Sequence, residues 1–90
     1  MERDDRKLVD AVRRGDEGAF AALYAAHQGP IYRYALHMCG AAGADDVVQE
    51  TFLSLLRRPA TFDPRRETLL AYLFDIARHH IMKLVARLPL

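Results

Sequence analysis

Apolar residues recur along most of this chain with the three- and four-residue spacing of α-helices. In the stretch ADDVVQETFLSLL, Val48, Phe52 and Leu55 fall on one face when about 100° of rotation is taken per residue. Leu56 lies beside them, and we expect it in the core. Apolar residues in the segment 70–88 stand at i, i+3, i+4, i+7, i+11, i+14, i+15 and i+18, which is a long helical stripe. No stretch alternates with the period of two that is typical of a strand.

Glycine, proline and capping residues predict where the helices end. In chain order, these positions are Gly15, Asp16, Gly29, Pro30, Gly40, Gly43, Pro59 and Thr68. We expect the Gly29-Pro30 pair to break or kink a helix, and Gly40 and Gly43 to bracket a short turn. Asp16 and Thr68 are suited to capping helix N-termini, and Pro59 to closing the preceding helix. The sequence therefore predicts an all-α domain over residues 1–90, a compact bundle of four or five helices.

The helix around Val48 has a second distinctive face, opposite its core face. This stripe consists of Asp46, Gln49, Glu50, Leu53 and Arg57. An apolar side chain ringed by polar ones is typical of a surface that binds a partner helix. A solvated face with one stray leucine gives the same pattern, since scattered exposed apolar residues are normal. Periodicity alone leaves both interpretations open.

The last helix also carries polar and aromatic residues on the side away from its apolar stripe. Along this strip lie Tyr72, Ile76, His79 and Lys83, with Arg87 slightly to one side. The preceding loop adds an aromatic ring and two guanidinium groups, from Phe62, Arg65 and Arg66. Cations bind phosphates and flat rings stack on unpaired bases, so the strip could bind nucleic acid. A solvated helix face with a snorkelling lysine remains the alternative.

Charge and composition add little that is specific. The 90 residues carry a net charge of +1. Residues 1–56 hold six Lys/Arg and nine Asp/Glu, a balance of −3, whereas residues 57–90 hold seven and three, a balance of +4. This asymmetry indicates two different partners, or chance. The single cysteine, Cys39, cannot form an internal disulfide, and no apolar run is long enough for a membrane span, so we expect a cytoplasmic protein.

Neither catalysis nor metal binding is predicted. His79 and His80 are adjacent and point about 100° apart on a helix, which suits a shared metal poorly. The sequence has no glycine-rich phosphate loop, no G-x-S-x-G and no H-E-x-x-H. Asp45 and Asp46 are better explained as a helix cap and a helix-face charge than as an acid/base pair. We therefore expect a protein that is not an enzyme and holds no cofactor or metal.

Several motifs together resemble region 2 of bacterial sigma factors of the extracytoplasmic-function (ECF) group. Gly15-Asp16, Ala19-Phe20 and Leu23-Tyr24 resemble its opening G-D, A-F and L-Y pairs, and Ile31–Ala35 resembles its second helix. Residues 45–53, DDVVQETFL, are similar to its D-[LV]-[VT]-Q-[ED]-x-F motif. Phe62-Asp63, Ala71–Leu73 and Ile76–Arg78 follow the order of its promoter-reading segment. The likeness covers residues 5–87, almost the whole chain.

The resemblance implies a role for each of the two faces. The face that would dock on the clamp helices of the RNA polymerase β′ subunit comprises Asp45, Asp46, Gln49, Glu50, Leu53 and Arg57. The residues that would bind and open the non-template strand of the promoter minus-ten element are Phe62, Asp63, Arg65, Arg66, Thr68, Tyr72, Ile76, His79, Lys83 and Arg87. Residues 62–68 match the loop that holds a flipped base in this family. Family members usually have Trp at the position of Tyr72 and Asn at that of His79.

The resemblance also bears on what accompanies this domain. A complete family member continues into a second helical domain, region 4, which reads the minus-thirty-five element. That domain is absent from these 90 residues, so we expect the chain to be part of a longer protein. An anti-sigma protein is a further expected partner. The alternative function is a protein-interaction module of the same fold, a decoy or an anti-sigma-binding domain, that does not read promoter DNA.

Overall fold

The fold consists of three packed helices. The computed structural model describes residues 2–58 and 62–87. Within those ranges the regular elements are α1 (Glu2–Arg13), α2 (Glu17–Arg57) and α3 (Leu69–Ala86). Helix α2 packs against both of the others, whereas α1 and α3 touch only slightly. The predicted all-α class is therefore confirmed, and the core lies between α2 and its two neighbours.

The predicted number of helices, four or five, is wrong, because α2 continues through Pro30 and the expected turn at Gly40 is a bend within it. Proline inside a helix costs about 3 kcal/mol, since it removes a backbone donor and crowds the preceding turn. The backbone nevertheless stays helical at Pro30. Ile31 and Ala35 follow it on the buried face, and both are 0% exposed. Burial of this face offsets the cost of the proline, so tertiary packing overrides the local break.

Helix α2 does bend, at Gly40. A straight helix of 41 residues would be about 60 Å long, yet the longest dimension of the molecule is 44 Å. Gly40 alone within α2 has non-helical torsion angles, φ 77° and ψ 175°. A Cβ added at Gly43 would lie 3.3 Å from the Cβ of Cys39, whereas residues four apart in a straight helix have Cβ atoms about 5–6 Å apart. The predicted Gly40–Gly43 turn is thus a bend within one helix, with segments 17–39 and 41–57 on either side.

The predicted caps at Asp16 and Thr68 are confirmed. The Asp16 carboxylate accepts from the backbone N–H of Ala19 at 3.0 Å, and the Thr68 hydroxyl accepts from that of Ala71 at 3.1 Å. Gly15, at φ 89°, ends α1 in the left-handed conformation that glycine adopts at helix C-termini. The predictions for Pro59 and Leu88 lie outside the described residues.

The core is apolar and draws on every helix. Its least exposed large side chains are Leu23, Ile31, Phe52, Leu55, Leu69, Leu73 and Ile81. Among the described side chains, Thr51 is the one polar group in this core. Its hydroxyl donates to the Val47 carbonyl oxygen at 2.7 Å, which removes the penalty of burying it unpaired. A polar contact also fixes α1, because Nε2 of His27 lies 3.4 Å from a carboxylate oxygen of Asp5.

Candidate functional site

The bend in α2 creates a groove between its two segments. Its walls and floor are formed by Phe20, Tyr24, Gln28 and Tyr32 of the first segment and by Asp45, Val48, Gln49, Phe52 and Leu53 of the second. We call this the aromatic groove. The Tyr24 and Phe52 rings meet across it, with centroids 4.8 Å apart and planes tilted by 57°. Three residues of the predicted docking face, Asp45, Gln49 and Leu53, therefore border a concave surface and not a flat one.

The apolar anchor of this face is larger than the sequence predicts. Leu53 is half-buried, so part of its surface is accessible. Leu56 is 45% exposed, and its expected place in the core is wrong. Val47 and Thr51 are buried instead, at 1% and 0% exposure. The buried arc of this segment is therefore turned toward Val47, because α3 covers that side, and Leu56 is left outside, one turn beyond Leu53.

The other half of the predicted docking stripe faces α3. Asp46 and Glu50 line a second groove together with Val47, His80, Lys83, Leu84 and Arg87. The single stripe predicted from the sequence is thus divided by the ridge of the helix. Two carboxylates assigned to one partner lie beside two cations assigned to another. The acidic and basic parts of the sequence therefore do not form separate acidic and basic surfaces.

The predicted nucleic-acid strip lines a third groove, between the end of α2 and α3. Tyr72, Ile76, His79 and Lys83 line it from α3, and Ser54, Arg57, Arg58, Asp75 and His80 complete it. We call it the α3 groove. Tyr72 and Ile76 are half-buried, whereas His79 and Lys83 are exposed. Arg57, assigned from the sequence to the docking face, lies here, with a guanidinium nitrogen 3.8 Å from a carboxylate oxygen of Glu50.

His80 sits at the junction of the second and third grooves. Its Nε2 is 3.2 Å from the Ser54 hydroxyl oxygen, which joins α3 to α2. Burial lowers the pKa of His80, and the nearby charge of Lys83 acts in the same direction. The Glu50 carboxylate opposes this shift. The imidazole is therefore biased toward its neutral form.

Contacts of Phe62 and Asp63 hold the described part of the loop before α3 in place. Phe62 is 4% exposed, and its ring packs on Tyr72 with centroids 5.4 Å apart. Phe62, which the sequence groups with the nucleic-acid strip, thus lies in the core beneath the loop. The Asp63 carboxylate accepts from the backbone N–H of Arg65 at 3.0 Å, which lowers the pKa of Asp63. Arg65 and Arg66 remain exposed on this turn.

Sequence reasoning missed several residues of these grooves, namely Tyr24, Gln28, Tyr32, Ser54, Arg58 and His80. Tyr24, Gln28 and Tyr32 are four residues apart in turn, so their common helix face is visible in the sequence. Their position opposite Leu53 cannot be seen in the sequence, because it depends on the bend at Gly40. Ser54 and His80 are 26 positions apart, and periodicity does not link them.

Two further properties concern the described part of the chain. Within residues 2–58 and 62–87, no cluster of three His, Cys, Asp or Glu side chains could hold a metal ion. Over the same ranges, no helix has the length and apolar character needed to cross a bilayer.

Comparison with known proteins specifies the class of this helical domain. The family model described as Sigma-70 region 2 matches residues 23–88. The chain belongs to this family and is a sigma factor domain of transcription initiation. Its resemblance to the ECF group is confirmed by the relatives described next.

Two curated relatives are ECF sigma factors. The chain is 38% identical over 74 residues to ECF RNA polymerase sigma factor BldN of Streptomyces coelicolor, covering 81% of this chain and 28% of the relative. It is 36% identical over 75 residues to ECF RNA polymerase sigma factor SigL of Mycobacterium tuberculosis, covering 82% of this chain and 42% of the relative. The chain therefore spans less than half the length of either relative. No solved structure matches it significantly.

Proposed function

We propose that this domain binds core RNA polymerase through the β′ clamp helices and then binds the non-template strand of the minus-ten element. The observation that carries the proposal is the aromatic groove, where Leu53 and two polar residues border a cleft floored by Val48 and Phe52. An apolar anchor in a partly desolvated setting, ringed by polar groups, is typical of helix-in-groove contacts. The names of both relatives include RNA polymerase, which supports the choice of partner.

The docking face supplies two kinds of contact. Leu53 and Leu56 offer apolar surface one turn apart, and an apolar side chain of the partner helix can pack against them. Asp45 borders this surface with negative charge, and Asp46 and Glu50 add charge from across the ridge of the helix, which favours a basic partner helix and speeds encounter with it. Gln49 can both donate and accept hydrogen bonds at the rim. Arg57 is engaged with Glu50, so its role in docking is to orient that carboxylate.

We expect Leu53→Asp to abolish binding of a β′ clamp-helix fragment. Loss of a buried anchor costs about 2 kcal/mol or more, roughly 30-fold in Kd, and a new charge in the contact adds to this. The matched control is Leu36→Asp, because Leu36 is a 39% exposed leucine of the first segment that lines none of the grooves described above. Isothermal titration of both variants, after far-UV circular dichroism, tests this. Equal affinity of Leu53→Asp and wild type would contradict polymerase docking through this face.

Promoter binding is assigned to the α3 groove and the loop before it. Tyr72, Ile76 and His79 offer flat or apolar surface for bases, while Lys83, Arg87, Arg65 and Arg66 offer cations for phosphates. Flipping a base costs a few kcal/mol, which stacking and a pocket must offset. In this proposal Phe62 supports the loop from beneath, Asp63 holds its turn and Thr68 caps α3. Binding energy for single-stranded DNA then separates the strands, so no catalytic group is required.

We expect Arg65→Ala and Lys83→Ala to weaken binding of a single-stranded minus-ten oligonucleotide. Each lost phosphate contact should lower the slope of log affinity against log salt concentration by about 0.7. Arg33→Ala is the control, because Arg33 is an exposed arginine that lines neither groove around α3. Fluorescence anisotropy at several salt concentrations measures all three variants. Slopes that are the same for wild type and the two variants would exclude these residues from DNA binding.

One observation favours the alternative, a protein-interaction module that does not read promoter DNA. The carboxylates of Asp46 and Glu50 line the same groove as Lys83 and Arg87, which weakens the positive potential that a DNA strand would meet. Normal binding of the β′ fragment with equal affinity for minus-ten and scrambled oligonucleotides would establish this alternative. An anti-sigma partner and a cytoplasmic location belong to the proposal in either case.

A further inference from the structure

A fourth groove lies between α1 and the loop before α3. It is lined by Arg6, Val9, Asp10, Arg13, Phe62, Asp63, Pro64 and Arg65. We call it the α1 groove. Val9 and Phe62 are 2% and 4% exposed, so they form its apolar base. The charged side chains lie above them, and three of the five are arginines.

The charges of α1 in this groove follow one face of the helix. Arg6, Asp10 and Arg13 stand at i, i+4 and i+7, so they point to the same side. Lys7 is exposed as well, but it does not line the α1 groove. The position of this face is fixed by burial of Val9 and Val12 and by the contact between Asp5 and His27. The arginines therefore lie beside the loop because α1 is held there.

The two carboxylates of the groove are already paired. A nitrogen of Arg13 lies 3.6 Å from an oxygen of Asp10, and Nε of Arg65 lies 3.4 Å from an oxygen of Asp63. Arg6 forms no ion pair with any side chain that the structure describes. Three guanidinium groups thus face two carboxylates in the groove, and both pairs are solvent-exposed. Exposed pairs contribute little and exchange readily for an incoming anion.

We propose that the α1 groove binds the phosphate backbone of the promoter strand next to the nucleotides held by the loop and α3. This inference rests on the proposed function, because it extends the same DNA track around the loop. Arg65 belongs to the loop and lines the α1 groove, so a strand that crosses the loop reaches Arg6 directly. Phosphate and guanidinium pair with bidentate geometry, which suits the arginines of this groove. Helix α1 thereby gains a DNA-contacting role, although it precedes the part of the chain that matches the family model, residues 23–88.

The test compares Arg6→Ala with Lys7→Ala, which removes the same charge one residue further along α1. Two single-stranded oligonucleotides are titrated into the 90-residue chain, one covering the minus-ten element alone and one extended by about six nucleotides on both sides. We expect Arg6→Ala to weaken binding of the extended strand about two- to fivefold and to reduce its salt slope by about 0.7. Binding of the short strand should stay unchanged, and Lys7→Ala should alter neither.

A second variant gives a change of opposite sign. Asp10→Asn removes the carboxylate that competes with phosphate for Arg13, so we expect tighter binding of the extended strand and no change for the short one. The inference is overturned if Arg6→Ala and Lys7→Ala weaken binding equally, if both strands lose affinity equally, or if Arg6→Ala has no effect. If the wild-type chain binds the minus-ten strand and a scrambled strand with equal affinity, the proposed promoter binding is refuted, and this inference is refuted with it.

Discussion

Replacing Gly40 by alanine tests the bend on which the aromatic groove depends. Torsion angles of φ 77° and ψ 175° lie in a region that is essentially restricted to glycine. An added Cβ would meet no neighbouring atom within 4 Å. The cost of Gly40→Ala therefore arises from backbone strain and not from a clash. Strain of this kind is worth about 1–3 kcal/mol.

Urea and thermal denaturation followed by far-UV circular dichroism measure this cost. In a domain of about this size, each kcal/mol lowers Tm by about 4–8 °C. Gly18→Ala is the matched control, because Gly18 lies in the regular first turn of α2 and its added Cβ would stand 3.4 Å from a carboxylate oxygen of Asp16, an ordinary contact. We expect Gly18→Ala to be neutral or to stabilise the domain by up to about 1 kcal/mol.

The same pair of variants links the bend to polymerase binding. The Tyr24 and Phe52 rings meet only because the two segments of α2 are folded toward each other at Gly40. Where Gly40→Ala remains folded, its affinity for the β′ fragment should fall while that of Gly18→Ala stays at the wild-type level. A Gly40→Ala variant as stable as wild type would refute the glycine-dependent bend, and with it our account of the groove.

Two further predictions concern packing and protonation. Gly43→Ala should destabilise the chain in the presence of Cys39, because the new Cβ would lie 2.9 Å from the thiol sulfur and 3.3 Å from the Cβ of Cys39. It should destabilise less in a Cys39→Ala background, which removes the sulfur and keeps the Cβ; additive effects in a urea double-mutant cycle would contradict the sulfur contact. Burial lowers the pKa of His80, so near pH 6 the unfolded chain binds more protons than the folded chain. The contribution of neutral His80 to folding stability is therefore complete above the ordinary pKa of about 6.5 and is lost as the pH falls through the pKa of the folded state. Denaturation of wild type and His80→Gln between about pH 5 and pH 7.5 measures this, and equal pH dependence of the two would exclude His80 as its source.

Local chemistry accounts for the caps and for most of the core. Asp16 and Thr68 accept hydrogen bonds from the residues three positions ahead, a relation that depends only on neighbouring residues. Leu73, Ala77 and Ile81 are buried, as their helical spacing predicts. The motif DDVVQETFL at residues 45–53 is one continuous stretch of chain, so it indicates the family directly, and the match to Sigma-70 region 2 confirms it.

Local patterns were wrong where distant residues compete for the same surface. Pro30 should interrupt a helix, but burial of Ile31 outweighs its cost. Leu56 has the periodicity of a core residue, yet α3 covers the side of Val47 and leaves Leu56 exposed. The Phe62 ring is directed inward, because an empty cavity beneath the loop would destabilise the fold more than exposing the ring to solvent would stabilise it.

The helical class, the caps and the composition of the two candidate faces are encoded locally, because each follows from rotation per residue and from the chemistry of near neighbours. How those faces meet depends on long-range packing. Gly40 turns one half of α2 onto the other, and the packing of α3 divides the acidic stripe, so that Glu50 shares a groove with Lys83. Contacts between residues far apart in the chain depend on the path of the whole backbone, which periodicity does not encode.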